Sequence, residues 1–137
     1  MNLHQKENIS FYQNLGKLFY AFAATDNQVR DEEFKTLKNI INNEWKLDKS
    51  YDINFKDSSN CIIVDTFKWL HNDNEYNAEI CYTSFVNFKK AHEDFFNKKV
   101  NSLILKTAGK ITASFSGQNK SELIMLAKLN IELNKES

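Results

Sequence analysis

The segment Ala23-Ala24-Thr25-Asp26-Asn27-Gln28-Val29-Arg30-Asp31-Glu32-Glu33 closes one strongly apolar helix and opens another. Upstream of it, Phe11, Leu15, Leu18 and Phe22 recur at helical spacing, and Tyr12, Phe19 and Ala23 form a second stripe beside them. This predicts a helix over residues 10–25, apolar on so much of its circumference that it belongs in the middle of a bundle. Downstream, Phe34, Leu37, Ile41 and Trp45, with Ile40 alongside, predict an amphipathic helix over residues 31–46. Asp31, Glu32 and Glu33 fill its first turn, where the helix dipole favours negative charge. The turn between is rich in acids and amides, and it predicts that the two helices pack antiparallel.

A fainter copy of the segment runs Ala113-Ser114-Phe115-Ser116-Gly117-Gln118-Asn119-Lys120-Ser121-Glu122. At an offset of 90 residues, Asp26 meets Ser116, Glu32 meets Glu122 and Phe34 meets Ile124. Lys38 meets Lys128, Ile41 meets Ile131, Leu15 meets Leu105 and Ala23 meets Ala113 at the same offset. The match suggests a duplicated helical hairpin around a central helix pair.

Four further helices are predicted between and beyond. Ser58 or Ser59 caps a helix ending at Leu70, with Ile63, Phe67 and Leu70 as its stripe and Val64 adjacent. The Asn- and Asp-rich turn of residues 71–75 follows. A helix over residues 77–96 buries Ala78, Cys81, Tyr82, Phe85, Phe88, Phe95 and Phe96, with Lys89, Lys90, Glu93 and Asp94 on its outer side. A helix over residues 100–115 turns Val100, Leu103, Ile104, Ala108, Ile111 and Phe115 inward and stops at Ser116-Gly117. In the last helix, Asn119 as N-cap and Glu122 form a capping-box-like pair, and Leu123, Leu126, Ala127 and Leu133 are its buried side. Residues 47–56 alternate polar and apolar side chains without a partner strand, and they read as a loop.

Composition supports an all-α fold, a single compact bundle of about six helices forming one domain over residues 1–137. Proline is absent, so nothing breaks long helices. Lysine plus arginine balance aspartate plus glutamate, 18 against 18, and Arg30 is the sole arginine. Nucleic-acid binding needs a basic excess to neutralise phosphates, so the balance argues against it. Residues 1–8 carry no apolar stretch of signal-peptide type, and no apolar run approaches the ~20 residues of a membrane span. A cytoplasmic protein is expected. Cys61 and Cys81 fall on neighbouring helices with a stagger of roughly 9 Å at helical rise, too far for a disulfide. Two free, buried thiols are expected.

The pattern Ala-x-x-Asp-x-x-Val-x-x-Glu-Glu, carried by Ala23, Asp26, Val29, Glu32 and Glu33, resembles the tellurite-resistance TerB-like family. Gly117 and Glu122 match that family's C-terminal repeat. Asn27 stands where the family has glycine, Ser116 where it has a second aspartate, and Asn119 where it has a second apolar residue. The resemblance covers the first and last helical pairs and not residues 47–99. It implies an all-helical fold of pseudo-twofold hairpins, divalent-metal binding by loop acids, and a stress-related role through protein partners rather than catalysis.

The candidate metal ligands are Asp26, Glu32 and Glu33, acids of the kind that bind Ca²⁺ or another hard divalent cation. The same residues also suit a turn cap and a helix N-terminus, and the full EF-hand pattern is absent. His92 lies between Phe88 and Phe95 on an aromatic face, where a histidine is either a ligand or base in a cavity or a boundary residue bonded to a carbonyl. The Glu-x-x-His pairs of di-metal bundles are missing, as are phosphate-binding glycine loops and nucleophile elbows. Lys89, Lys90, Lys98, Lys99 and Lys106 form a basic cluster diluted by Glu93 and Asp94, which reads as a solvated face. Trp69 and Tyr76 mark a contact surface if exposed. Two functional expectations follow. One is a non-enzymatic TerB-like module acting through an unknown protein partner, with a divalent cation at the Asp26 loop. The alternative is a small helical enzyme or ligand-binding protein with its cavity near His92.

Overall fold

The structure is a computed structural model, and it describes residues 3–24, 31–45, 58–73, 77–115 and 120–135. Six helices follow one another: α1 (Leu3–Ala23), α2 (Asp31–Glu44), α3 (Ser58–Asn72), α4 (Ala78–Ala91), α5 (Lys98–Phe115) and α6 (Lys120–Asn134). No strand occurs among the described residues. The all-α bundle expected from the spacing of apolar residues is the fold observed.

α1 is the axis of the bundle, with α3, α4 and α5 packed closely around it. Its two apolar stripes bury Phe11, Leu15, Leu18, Phe19, Phe22 and Ala23. α3 runs parallel to α1, with Tyr20 edge-on to Phe67 at 5.5 Å. α4 runs antiparallel to α1, so that Phe11 reaches Phe88 at one end and Lys17 reaches Ser84 further along.

Gly16 permits the close α1–α3 approach. A Cβ there would sit 2.8 Å from both the Ile63 carbonyl oxygen and the Thr66 Cβ. A glycine inside an apolar helix signals such a contact, because it would otherwise only weaken the helix.

The stripes of α2 and α3 behave as their spacing predicts. Leu37, Ile41 and Trp45 are buried, as are Ile63, Phe67 and Leu70. The partners of α2 differ from expectation. α2 lies against α3 and α5, and it does not form a close antiparallel pair with α1. Phe34 packs edge-on to Phe67 of α3 at 5.3 Å, and the Trp45 indole donates to Thr107 Oγ1 of α5 at 3.0 Å. Trp45 still touches α1 through Phe19, with ring centroids 6.3 Å apart. Apolar spacing specifies which face of a helix is buried, not which neighbour buries it.

The helix expected over residues 77–96 ends earlier. α4 stops at Ala91, His92 takes φ −137° and ψ 54°, and a 3₁₀ turn, Glu93–Phe95, follows. The break brings both Phe95 and Phe96 onto Phe11, at 5.0 Å stacked and 5.6 Å edge-on. A continuous helix would point them about 100° apart and carry Phe95 roughly 10 Å along the axis beyond Phe88, away from Phe11. Asn97 Oδ1 then accepts from the Val100 N–H at 2.9 Å and caps α5. Asn77 does the same for α4, accepting from the Ile80 N–H at 2.8 Å.

α6 departs furthest from its predicted face. Leu129 and Leu133 are buried, whereas Leu123 and Ala127, expected inward, are exposed together with Ile124 and Ile131. Positions matched at the 90-residue offset therefore have different surroundings: Ile41 is buried and Ile131 exposed, Ala23 buried and Ala113 exposed.

Candidate functional site

The sequence-predicted metal ligands fall outside the described side chains. Asp26 lies beyond the described residues, and of Asp31, Glu32 and Glu33 the structure describes the helical backbone alone. The second loop, residues 116–119, and the alternating residues 47–57 also lie outside them, as do Tyr76 and the Cys61 side chain. Among the described residues no group of His, Cys, Asp or Glu side chains is arranged to hold a metal ion.

His92 is the boundary residue rather than the heart of a polar cavity. Its imidazole stacks on Phe88 with centroids 4.2 Å apart, and its Nδ1 sits 3.2 Å from the Phe88 carbonyl oxygen. The ring thus closes the aromatic cluster of Phe11, Phe88 and Phe95 at the end of α4.

The basic cluster divides into lysines with different roles, which corrects the expected solvated face. Lys89 is 1% exposed, with Glu93 at 3.3 Å and Glu132 at 3.8 Å. A buried ammonium needs such partners, because an unpaired charge away from water is strongly disfavoured. Lys89 therefore ties α4 to the 3₁₀ turn and to α6. Lys106 pairs with Glu44 at 3.3 Å, and Lys110 bonds the same carboxylate. The Lys110 hydrogen bond, followed by that of Lys106, holds the Glu44 carboxyl below its ordinary pKa. Lys90, Lys98 and Lys99 remain exposed.

Burial leaves a second polar line between α1 and α4. Lys17 Nζ donates to Ser84 Oγ at 3.2 Å, Ser84 Oγ donates to Asn14 Oδ1 at 3.3 Å, and Asn14 Nδ2 donates to the Ser10 carbonyl at 2.8 Å. The chain of bonds satisfies side chains that would otherwise be stranded against the core. The Cys81 thiol is free and buried, and burial pushes its pKa up to about 11. A thiol held protonated is a poor nucleophile, so Cys81 is a core residue.

Trp69 of α3 and Ile80 of α4 are exposed singly, whereas α6 exposes several apolar side chains beside a groove. Leu123 and Ile124 are each 48% exposed and Ile131 is 62% exposed. α6 packs closely on α5 and more loosely on α4. Asn101 of α5 anchors its end by donating to the Leu133 carbonyl at 3.1 Å. Between α4 and α6 runs a groove of about 360 Å³, lined by Tyr82, Val86, Lys90, Lys128, Ile131 and Glu132 among others. Burial, then the nearby Glu132 charge, pushes the Tyr82 phenol up to about 12.

Sequence reasoning placed Leu123 and Ala127 in the core and so missed this surface. The available signal was that the apolar residues of α6 are spread around the helix rather than gathered in one stripe, so its spacing does not single out one face for burial. No family model matches the chain, and neither a curated protein nor a solved structure does. No described helix is long and apolar enough to cross a membrane.

Proposed function

We propose that the protein is a non-enzymatic helical module that acts in the cytoplasm by binding a protein partner through the outer side of α6. The observation that carries this reading is the exposure of Leu123, Ile124 and Ile131 on one helix, at 48%, 48% and 62%. Single exposed apolar residues are ordinary, but several together on one face mark a contact surface. The TerB-like pattern at Ala23, Asp26, Val29, Glu32 and Glu33 supports a stress-related role, with a divalent cation held by Asp26, Glu32 and Glu33. The alternative, a cavity at His92, is less well supported, because that ring is stacked on Phe88.

Two experiments test the proposal. A photo-crosslinking residue is placed at position 123 or 131, or at exposed Asn43 as a control, in cells that natively express the protein. The same protein should be captured from 123 and 131 and not from 43. Once purified, it should bind the wild type and lose at least about tenfold in affinity with Ile131→Glu, a change of about 1.4 kcal/mol. Equal capture at all three positions, or unchanged affinity, refutes the reading. For the cation, thermal unfolding of chelator-treated protein is compared with and without millimolar Ca²⁺, Mg²⁺ or Zn²⁺. An ion at ~100 times its Kd adds about 2.7 kcal/mol, and Asp26→Ala should remove that gain. No shift with any ion leaves Asp26, Glu32 and Glu33 as helix and turn caps.

A further inference from the structure

We infer that the groove between α4 and α6 receives an acidic amphipathic helix from the partner, an inference that rests on the interaction reading above. Its first support is the arrangement of α6. Lys120, Ile124, Lys128, Ile131 and Lys135 follow one another at spacings of four, four, three and four residues, which puts them in one row along the helix. All five are exposed. Lys128, Ile131 and Lys135 of this row line the groove, so an occupant must match cations and an apolar side chain together.

The second support is the charge left over in the groove. Glu132 is the acid in its lining, and it is already engaged by Lys89 at 3.8 Å and by Lys135 at 3.3 Å. Lys90 on the α4 wall and Lys128 on the α6 wall have no acidic partner among the described residues. The chain is neutral overall, 18 cationic against 18 anionic residues, so this excess is local. Lys106 and Lys110 show the contrast, since both are exposed and both are satisfied by Glu44.

The third support is shape. A volume of about 360 Å³ is at the small end for a ligand pocket. Thr83, Asn87, Lys90, Lys128, Ile131 and Lys135 of its lining are exposed, so it is open along its length. A small molecule would keep much of its surface in water there, whereas pockets for such ligands enclose most of it. An open channel whose lining includes apolar Val86 and Ile131 and the ring of Tyr82 suits a helix that lays an apolar stripe into it. Asp and Glu beside that stripe would meet Lys90 and Lys128, which steers encounter and sets orientation. A nucleic acid would use the lysines and leave Val86 and Ile131 idle, so the peptide is the better match.

The test is a display selection on the intact protein. The probe is a library of amphipathic helices of about four turns, with leucine at the stripe and Glu, Lys, Gln or Ser at equal frequency elsewhere. The enriched helices should be net acidic. Lys90→Glu combined with Lys128→Glu should weaken the best binder at least tenfold by fluorescence anisotropy, with an unchanged melting temperature. Lys98→Glu combined with Lys99→Glu should leave binding as it was. Enrichment of neutral or basic helices overturns the inference, as does the absence of any binder or indifference to the Lys90/Lys128 reversal. Tighter binding of duplex RNA or phosphatidylserine vesicles with the same Lys90/Lys128 dependence also overturns it. If the helices fail while crosslinks at 123 and 131 still capture one protein, the groove inference falls and the interaction reading stands. If those crosslinks are also lost, both fall.

Discussion

In α1, Phe11, Leu15, Leu18, Phe19, Ala21, Phe22 and Ala23 are all buried, whereas in α6 Leu123, Ile124, Ala127 and Ile131 face outward. Both helices are apolar around much of their circumference. α1 has α3, α4 and α5 around it, and Gly16 lets α3 come to backbone contact. α6 comes last in the chain and rests mainly on α5, with an open groove toward α4. The same sequence signal therefore has two outcomes. A helix with apolar residues around much of its circumference is central when neighbours surround it, and it leaves apolar side chains exposed when they cover only part of it.

The largest test of this contrast is Phe19→Ala. Truncating a fully buried phenylalanine costs about 3–5 kcal/mol, and chemical denaturation should show that loss. A loss below about 1 kcal/mol would mean that α1 is not the axis of the core. Next is Gly16→Ala, which places a methyl 2.8 Å from the Ile63 carbonyl oxygen and the Thr66 Cβ. The obstacle includes backbone, so α1 and α3 must separate. The expected cost is about 1–3 kcal/mol, despite alanine's better helix propensity. A stabilised Gly16→Ala protein would refute the close crossing.

The packing of α4 against its neighbours is probed by pH. Burial raises the Tyr82 phenol from 10.0 to about 12 and the Cys81 thiol from 9.0 to about 11. Both groups hold their proton more tightly when folded. Their contribution to stability is therefore complete below the unfolded pKa and is lost as pH rises through the folded value. Melting temperature should fall between about pH 9 and pH 12, and the fall should be shallower above pH 10 in Tyr82→Phe. Identical profiles would place Tyr82 in solvent. The smallest effect is expected on the exposed side of α6. Leu123→Ser and Ile131→Ser should each change stability by no more than about 0.5 kcal/mol. A cost near that of Phe19→Ala would show that the isolated chain already covers this face.

Several buried positions were legible without coordinates because they repeat at helical spacing. Leu15, Leu18 and Phe22, Leu37 and Ile41, and Ile63, Phe67 and Leu70 all occupy the core as their stripes predict. Lys89 was not legible. It sits on α4 beside Lys90 in a run that reads as a solvated face, and its burial depends on Glu132, which lies 43 residues further along. The break at His92 was hidden for a related reason. Phe95 and Phe96 continue the apolar stripe of α4 in one dimension, yet both must reach Phe11 on another helix.

The sequence by itself determined that this protein is helical, where most of its helices run and, α6 excepted, which side of them leaves water, because propensity and periodicity are local properties of the chain. Only the tertiary structure decided that α6 stays partly uncovered, that α2 sits on α3 and α5, and that a basic groove opens between α4 and α6. Those outcomes depend on which surfaces run out of neighbours when six helices are packed together, and no single helix carries that information.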